Sequence, residues 1–207
     1  MLKHLVLDMG RVMVDYHPDA IWHRFGVTDE GDLRLLREVV TDSPEWALMD
    51  WGYLSDTAFE TIARPKLPER LHAVLHRYLF RWFDPIEPVP GMAELVRDYK
   101  KRGLGIYLLS NASPRQHDYW PMVPGHEVFD GTVISADVKL VKPMPDIYRL
   151  LLDRFRLRAQ DCLFVDDVAA NVAAARLVGM DGFVFRYNPE DLRRYIDRRL
   201  SETPSAD

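Results

Sequence analysis

The 207 residues are 47% hydrophobic and 29% charged, and 27 Lys and Arg against 32 Asp and Glu give a formal net charge of −5. That composition excludes a disordered chain, and its mild acidity leaves no electrostatic footprint for nucleic acid. The single cysteine, Cys162, excludes an internal disulfide and a cysteine metal cluster; with no run of 18 apolar residues and no signal-like start, the expectation is a cytosolic globular domain with no membrane partner.

The first apolar run, in KHLVLDMGRVMVDY (3–16), stops abruptly on the carboxylate of Asp8. Four later runs resemble it: LGIYLLS (104–110), GTVISA (131–136), CLFVDD (162–167) and GFVFR (182–186). Each is short, rich in branched or aromatic residues and free of polar alternation, as expected of strands covered on both faces. Between them lie helical patterns. PGMAELVRDYKKRG has Pro90 near its start and Gly103 as a stop, while PDIYRLLLDRFRL and VAANVAAARLVGM supply two more. Strands alternating with helices predict an α/β fold, a doubly wound, Rossmann-like parallel sheet.

Residues 17–84 break that alternation. They hold DLRLLREVV, DTAFETIAR and RLHAVLHRYLFRWF with no convincing strand, which predicts a helical subdomain inserted after the first strand. The return runs through DPIEPVPGM, where three prolines stiffen the connection. The expected organisation is therefore a core of residues 1–16 and 85–200, an inserted cap of 17–84 and a frayed tail of 201–207.

Ligands of open parallel sheets bind beyond the carboxyl ends of the strands. Asp8 sits at that end of strand one, Ser110 and Asn111 at that of strand two, and Asp166 and Asp167 at that of strand four; the loop after strand three brings Lys142, just before Pro143. Taken singly, each has an ordinary reading as a turn residue or a solvated charge. Together they do not. Two adjacent carboxylates after a buried strand repel one another unless a cation or hydrogen-bond donors compensate them, and a hard, oxygen-preferring ion such as Mg2+ would do so. With a cation placed, Asp8 is a candidate nucleophile toward phosphorus, and Ser110, nearby amides and Lys142 are candidates to hold the phosphoryl oxygens.

These residues resemble the haloacid dehalogenase-like hydrolases, and among them the phosphatases with a helical cap. The four signatures stand in order: LDMGRV with Asp8, LLSNAS with Ser110 and Asn111, KLVKPMPDIY with Lys142, and FVDDVAANVAAA with Asp166, Asp167 and Asn171. The resemblance implies a phosphoric monoester hydrolase, with Asp8 as nucleophile and metal ligand and the Gly10 carbonyl as a second ligand. It also implies Asp167 as the main motif-four ligand, Asp166 as its partner, and Ser110, Asn111 and Lys142 at the phosphate. Most such phosphatases carry a second Asp two places after the nucleophile, where it serves as general acid and base. Here that position is Gly10. A branch with D-x-G-x-V, acting on sugar phosphates such as α-D-glucose 1-phosphate, implies activity without it.

A haloacid dehalogenase would use the same Asp8 on carbon, and a non-catalytic member would only bind a phosphorylated ligand. Arg11 is read as a loop cation pairing with an acid such as Asp15 or Asp137, the alternative being a cation near the phosphate or substrate. In the insertion, Trp22, Trp46, Trp51 and Tyr53 are expected in its own core more than on a sugar-binding face. His17, His117 and Trp120 are expected near the mouth, where a histidine is a candidate to replace the missing acid. The partner is a small phosphate ester, and the chain is a monomer or a homodimer.

Overall fold

A computed structural model of the protein describes residues 1–201. Five strands, β1 (His4–Leu7), β2 (Gly105–Ser110), β3 (Gly131–Ile134), β4 (Cys162–Asp166) and β5 (Asp181–Val184), pair in parallel in the order β3-β2-β1-β4-β5. All five lie on the predicted apolar runs. Side chains alternate between two buried faces: Leu5, Leu7, Ile106, Leu108, Leu163 and Val165 pack in one cluster, and Val6, Tyr107, Leu109, Cys162 and Phe164 in another. Cys162 is thus a core residue, its thiol pushed up to about 12 by burial.

Between β1 and β2 the chain forms α1 (Pro18–Arg24), α2 (Glu30–Leu36), a π-helical turn at Arg37–Thr41, α3 (Pro44–Asp50), α4 (Asp56–Ala63) and α5 (His72–Arg81). Their starts are written locally. Asp29, Ser43 and Ser55 cap α2, α3 and α4 by accepting from the amides of Asp32, Trp46 and Ala58, and Pro18 and Pro44 stand in the first turns of α1 and α3. These helices bury a cluster of their own around Trp22, Leu36, Phe59, Leu75 and Tyr78. After β1 come Tyr16 and, past α5, Trp82 and Phe83, which stack with one another and with Tyr119 to form an aromatic seam joining the insertion to the sheet unit.

The remaining helices complete the two layers. These are α6 (Met92–Lys101), α7 (Gln116–Tyr119), α8 (Ser135–Val138), α9 (Pro145–Phe155), α10 (Ala169–Leu177) and α11 (Pro189–Ser201). Residues of α6 and α11 enter the first sheet cluster, those of α9 and α10 the second. Ser201 closes α11, and the rest of the expected tail, 202–207, lies outside the described residues. Among the described residues no helix is long and apolar enough to cross a membrane.

Candidate functional site

Strand β1 stops at Leu7, and the amide of Asp8 still bonds to the Val165 carbonyl at 2.9 Å, so the sheet itself fixes the backbone of Asp8 beside the end of β4. The carboxylate oxygens of Asp8, Asp166 and Asp167 lie within 4.8 Å of one another. Lys142 bridges two of them, its Nζ donating to Asp8 Oδ1 at 2.7 Å and to Asp166 Oδ2 at 2.8 Å. Asp166 is completely buried and also accepts from the Val168 amide and from Asn171 Nδ2, so its oxygens are engaged inside the protein. Asp167 is the acid of the pair that faces the cavity.

Charge explains why these groups sit together. Burial drives the Asp8 carboxyl up to about 7 against the pull of Lys142, and the neighbouring Asp166 pushes in the same direction. Lys142 is as buried; desolvation works to lower its pKa, but Asp166 and Asp8 overcome that and hold it above the usual lysine range. Asp167 is raised by desolvation, with the guanidinium of Arg11 opposing at 3.1 Å. Three carboxylates therefore meet two cations. The leftover negative charge on a hard oxygen donor set fits a divalent ion such as magnesium, and Gly10 lines the same cavity.

Ser110 and Asn111 reach the site from the end of β2. Both polar atoms of the Asn111 side chain are spent on the backbone of Lys142, donating to its carbonyl at 3.0 Å and accepting from its amide at 2.8 Å. Asn111 thereby positions the lysine. Ser110 is buried along its length and lines the cavity at the sheet edge.

The cavity has a volume of about 320 Å³ and two kinds of wall. Its floor is the strand edge, with Asp8, Gly10, Ser110, Lys142 and Asp167. Its roof is the insertion: Trp46, Met49 and Asp50 share one face of α3 at helical spacing, and Tyr78, Leu79 and Trp82 do so on and just past α5. Bonds between the two units tie the roof to the sheet unit, from Ser113 Oγ to Asp56 Oδ1 at 3.1 Å, from Ser135 Oγ to the Asp50 carbonyl at 2.6 Å, and from Lys139 Nζ to the Gly52 carbonyl.

Other expected residues lie elsewhere. Trp22 is in the core of the insertion, Trp51 and Tyr53 stack on each other away from the cavity, and Trp46 alone of the four lines it. His117 pairs with Asp137 at 2.8 Å and His17 with Tyr187 at 2.7 Å, neither on the cavity wall, and Trp120 packs on Phe129. Arg11, at a left-handed φ of 59, pairs with Asp167 at 3.1 Å rather than with Asp15 or Asp137. Sequence reasoning missed Asp50, Asp56 and Arg115, which stand at the end of α3, at the start of α4 and just before α7, and local pattern does not say which residues at such boundaries face the cavity.

The model of the haloacid dehalogenase-like hydrolase family matches residues 12–179, most of the chain. This chain belongs to that family. The sesquiterpene phosphatase astK of Aspergillus oryzae is 34% identical over 183 residues, 87% of this chain and 88% of its own length. A HAD-like family hydrolase of Porphyromonas gingivalis shares the fold at a TM-score of 0.74 and 21% identity, covering 98% of this chain and 100% of that one. So does a HAD family enzyme of Bacteroides thetaiotaomicron in complex with magnesium and inorganic phosphate, at 0.70 and 16%, covering 91% and 96%. The chain is thus a HAD-like hydrolase with a phosphatase among its relatives.

Proposed function

We propose that this HAD-like hydrolase is a magnesium-dependent phosphatase that cleaves a small phosphate ester through an aspartyl-phosphate on Asp8. The observation that carries the reading is the Lys142 ammonium held between Asp8 and Asp166, with Asp167 beside them on the floor of a roofed cavity. Asp8 attacks phosphorus, Lys142 compensates charge on the phosphoryl oxygens, and the Ser110 hydroxyl and adjacent backbone amides hold the group in line. Magnesium, held by Asp8, the Gly10 carbonyl and Asp167 with Asp166 behind them, supplies further neutralisation of phosphoryl charge when bound. A dehalogenase acting through the same Asp8 has no use for the excess of carboxylates over cations.

The roof suits an alcohol that offers both a carbon face and hydroxyls. The rings of Trp46, Tyr78 and Trp82 provide stacking surface, while Asp50, Asp56 and Arg115 provide polar contacts. A sugar phosphate has both features. The sesquiterpene phosphatase relative supports a more apolar alcohol in the same place, so sugar phosphates and isoprenyl monophosphates, assayed side by side in the cytosolic magnesium range, measure the preference.

The test is phosphate release with magnesium and with EDTA. Wild-type protein should turn over with the metal and stop with the chelator, and Asp8→Asn should remain folded, bind inorganic phosphate and release none from any ester. Metal-independent turnover, or substantial turnover by Asp8→Asn, sinks the reading.

A further inference from the structure

We propose that Asp50, delivered by the inserted helices, is the general acid and base of the reaction, in place of the carboxylate missing at Gly10; this rests on the phosphatase reading. Asp50 ends α3, one helical turn from Trp46, and lines the cavity that Gly10, Asp8 and Lys142 floor. Phosphorus must sit at Asp8 and Lys142, and the alcohol must extend into the remaining space under the roof. The oxygen joining them therefore lies at the boundary of floor and roof, within reach of roof side chains.

Three observations single out Asp50 among the groups there. Its backbone is pinned to the sheet unit by the 2.6 Å bond from Ser135 Oγ to its carbonyl, so its position does not depend on a loose loop. Its carboxyl makes no hydrogen bond or ion pair among the described residues, whereas that of Asp56 accepts from Ser113 Oγ. Burial raises it to about 7, against the opposing charge of Lys142 across the same cavity, so it can give and take a proton near neutral pH.

The groups around it are consistent with that role. Tyr16 and Tyr78, joined at 2.5 Å, and Tyr119 are all held well above the usual tyrosine range by burial and keep their protons. Asp56 and Arg115 share the roof, and Asp8, Arg11, Lys142 and Asp167 the floor. The two expected histidines face neither.

The chemistry balances. As the Asp8 oxygen bonds to phosphorus and the ester P–O bond breaks, the Asp50 carboxylic acid gives its proton to the departing oxygen, and the alcohol leaves neutral. The Asp50 carboxylate then takes a proton from the water that attacks the aspartyl-phosphate. Asp8 is freed, inorganic phosphate departs, and Asp50 is again an acid.

The test is the dependence of aspartyl-phosphate formation on leaving-group acidity, read as the burst of alcohol release across a series of substituted aryl phosphates and a simple alkyl phosphate without hydroxyls. Wild type should show a shallow dependence. Asp50→Asn should steepen it, losing about 10²- to 10⁴-fold on the alkyl ester but about tenfold or less on 4-nitrophenyl phosphate, and the intermediate should accumulate. Asp50→Glu should restore the shallow slope. If Asp50→Asn does not fold, the wild-type burst serves instead: it should fall as pH rises through about 7 for the alkyl ester relative to 4-nitrophenyl phosphate. A uniform loss on all esters, an unchanged slope, or steepening by Asp56→Asn instead overturns the proposal. Absence of any wild-type turnover with magnesium overturns the phosphatase reading as well, so the two failures are distinguished.

Discussion

Arg11 is held at φ 59, a backbone region that costs a non-glycine residue on the order of 1 kcal/mol, and from there its guanidinium meets Asp167 at 3.1 Å. Its Nε also donates to Tyr187. If Asp167 is a metal ligand, this cation competes with the ion for the same carboxylate. Arg11→Ala should therefore lower the magnesium concentration giving half-maximal activity by about twofold to fivefold, the worth of a partly exposed ion pair. Asp167→Ala should raise it by orders of magnitude. A titration that moves upward in Arg11→Ala would show that the arginine supports the metal or the phosphate. Gly10 behaves differently: a Cβ there would meet only Tyr16 at 3.9 Å, ordinary contact, so the glycine is not demanded by packing. Its carbonyl and its lack of a carboxyl were both legible in the sequence. What the sequence did not carry was which side chains touch: that Lys142 serves Asp166 as well as Asp8, or that Asn111 turns back on Lys142, depends on loop geometry that local residue types do not encode.

The elements divide by apolar patterning rather than by length alone: the seven-residue α2 was read from DLRLLREVV, whereas the 13-residue α11, which buries only Leu192 and Ile196, was not. Strands β1 to β5 and helices α6, α9 and α10 were legible because each is a run of apolar residues, or an apolar face, long enough to show its period. Helices α3, α7 and α8 span 7, 4 and 4 residues and show none, although the Ser43-Pro44 start of α3 was available. Yet α3 carries the roof. Just past its end stands Gly52, φ 67, where a Cβ would come within 2.3 Å of the carbonyl oxygen of Ala136 in α8, so the insertion rests on α8 only because that side chain is absent. Gly52→Ala should push the roof away from the floor. We expect a loss of about 1–3 kcal/mol, a fall in melting temperature on the order of 5 °C, with a raised KM for the ester. An unchanged melting temperature would mean that the docking does not depend on this approach.

At the scale of the molecule, the cavity couples folding to pH and to metal. Asp8 and Asp50 are both raised by burial to about 7, from an ordinary value near 3.8, so between those limits the folded protein binds more protons than the unfolded chain. Stability then falls as pH rises through that window, since its slope follows the protons bound by the unfolded state minus those bound by the folded one. His4, lowered mainly by burial, works in the other direction but is one group outside the cavity. In EDTA, the melting temperature should therefore decline from pH 5 to pH 8. Magnesium binds the deprotonated carboxylates of the folded state, and it should raise the melting temperature most at pH 8 and least at pH 5. Thermal unfolding at four pH values with and without the ion measures both trends. A melting temperature that rises with pH in EDTA would mean that the three clustered carboxylates are already balanced by Lys142 and Arg11, and the argument for a divalent ion at this strand edge would lose its electrostatic basis.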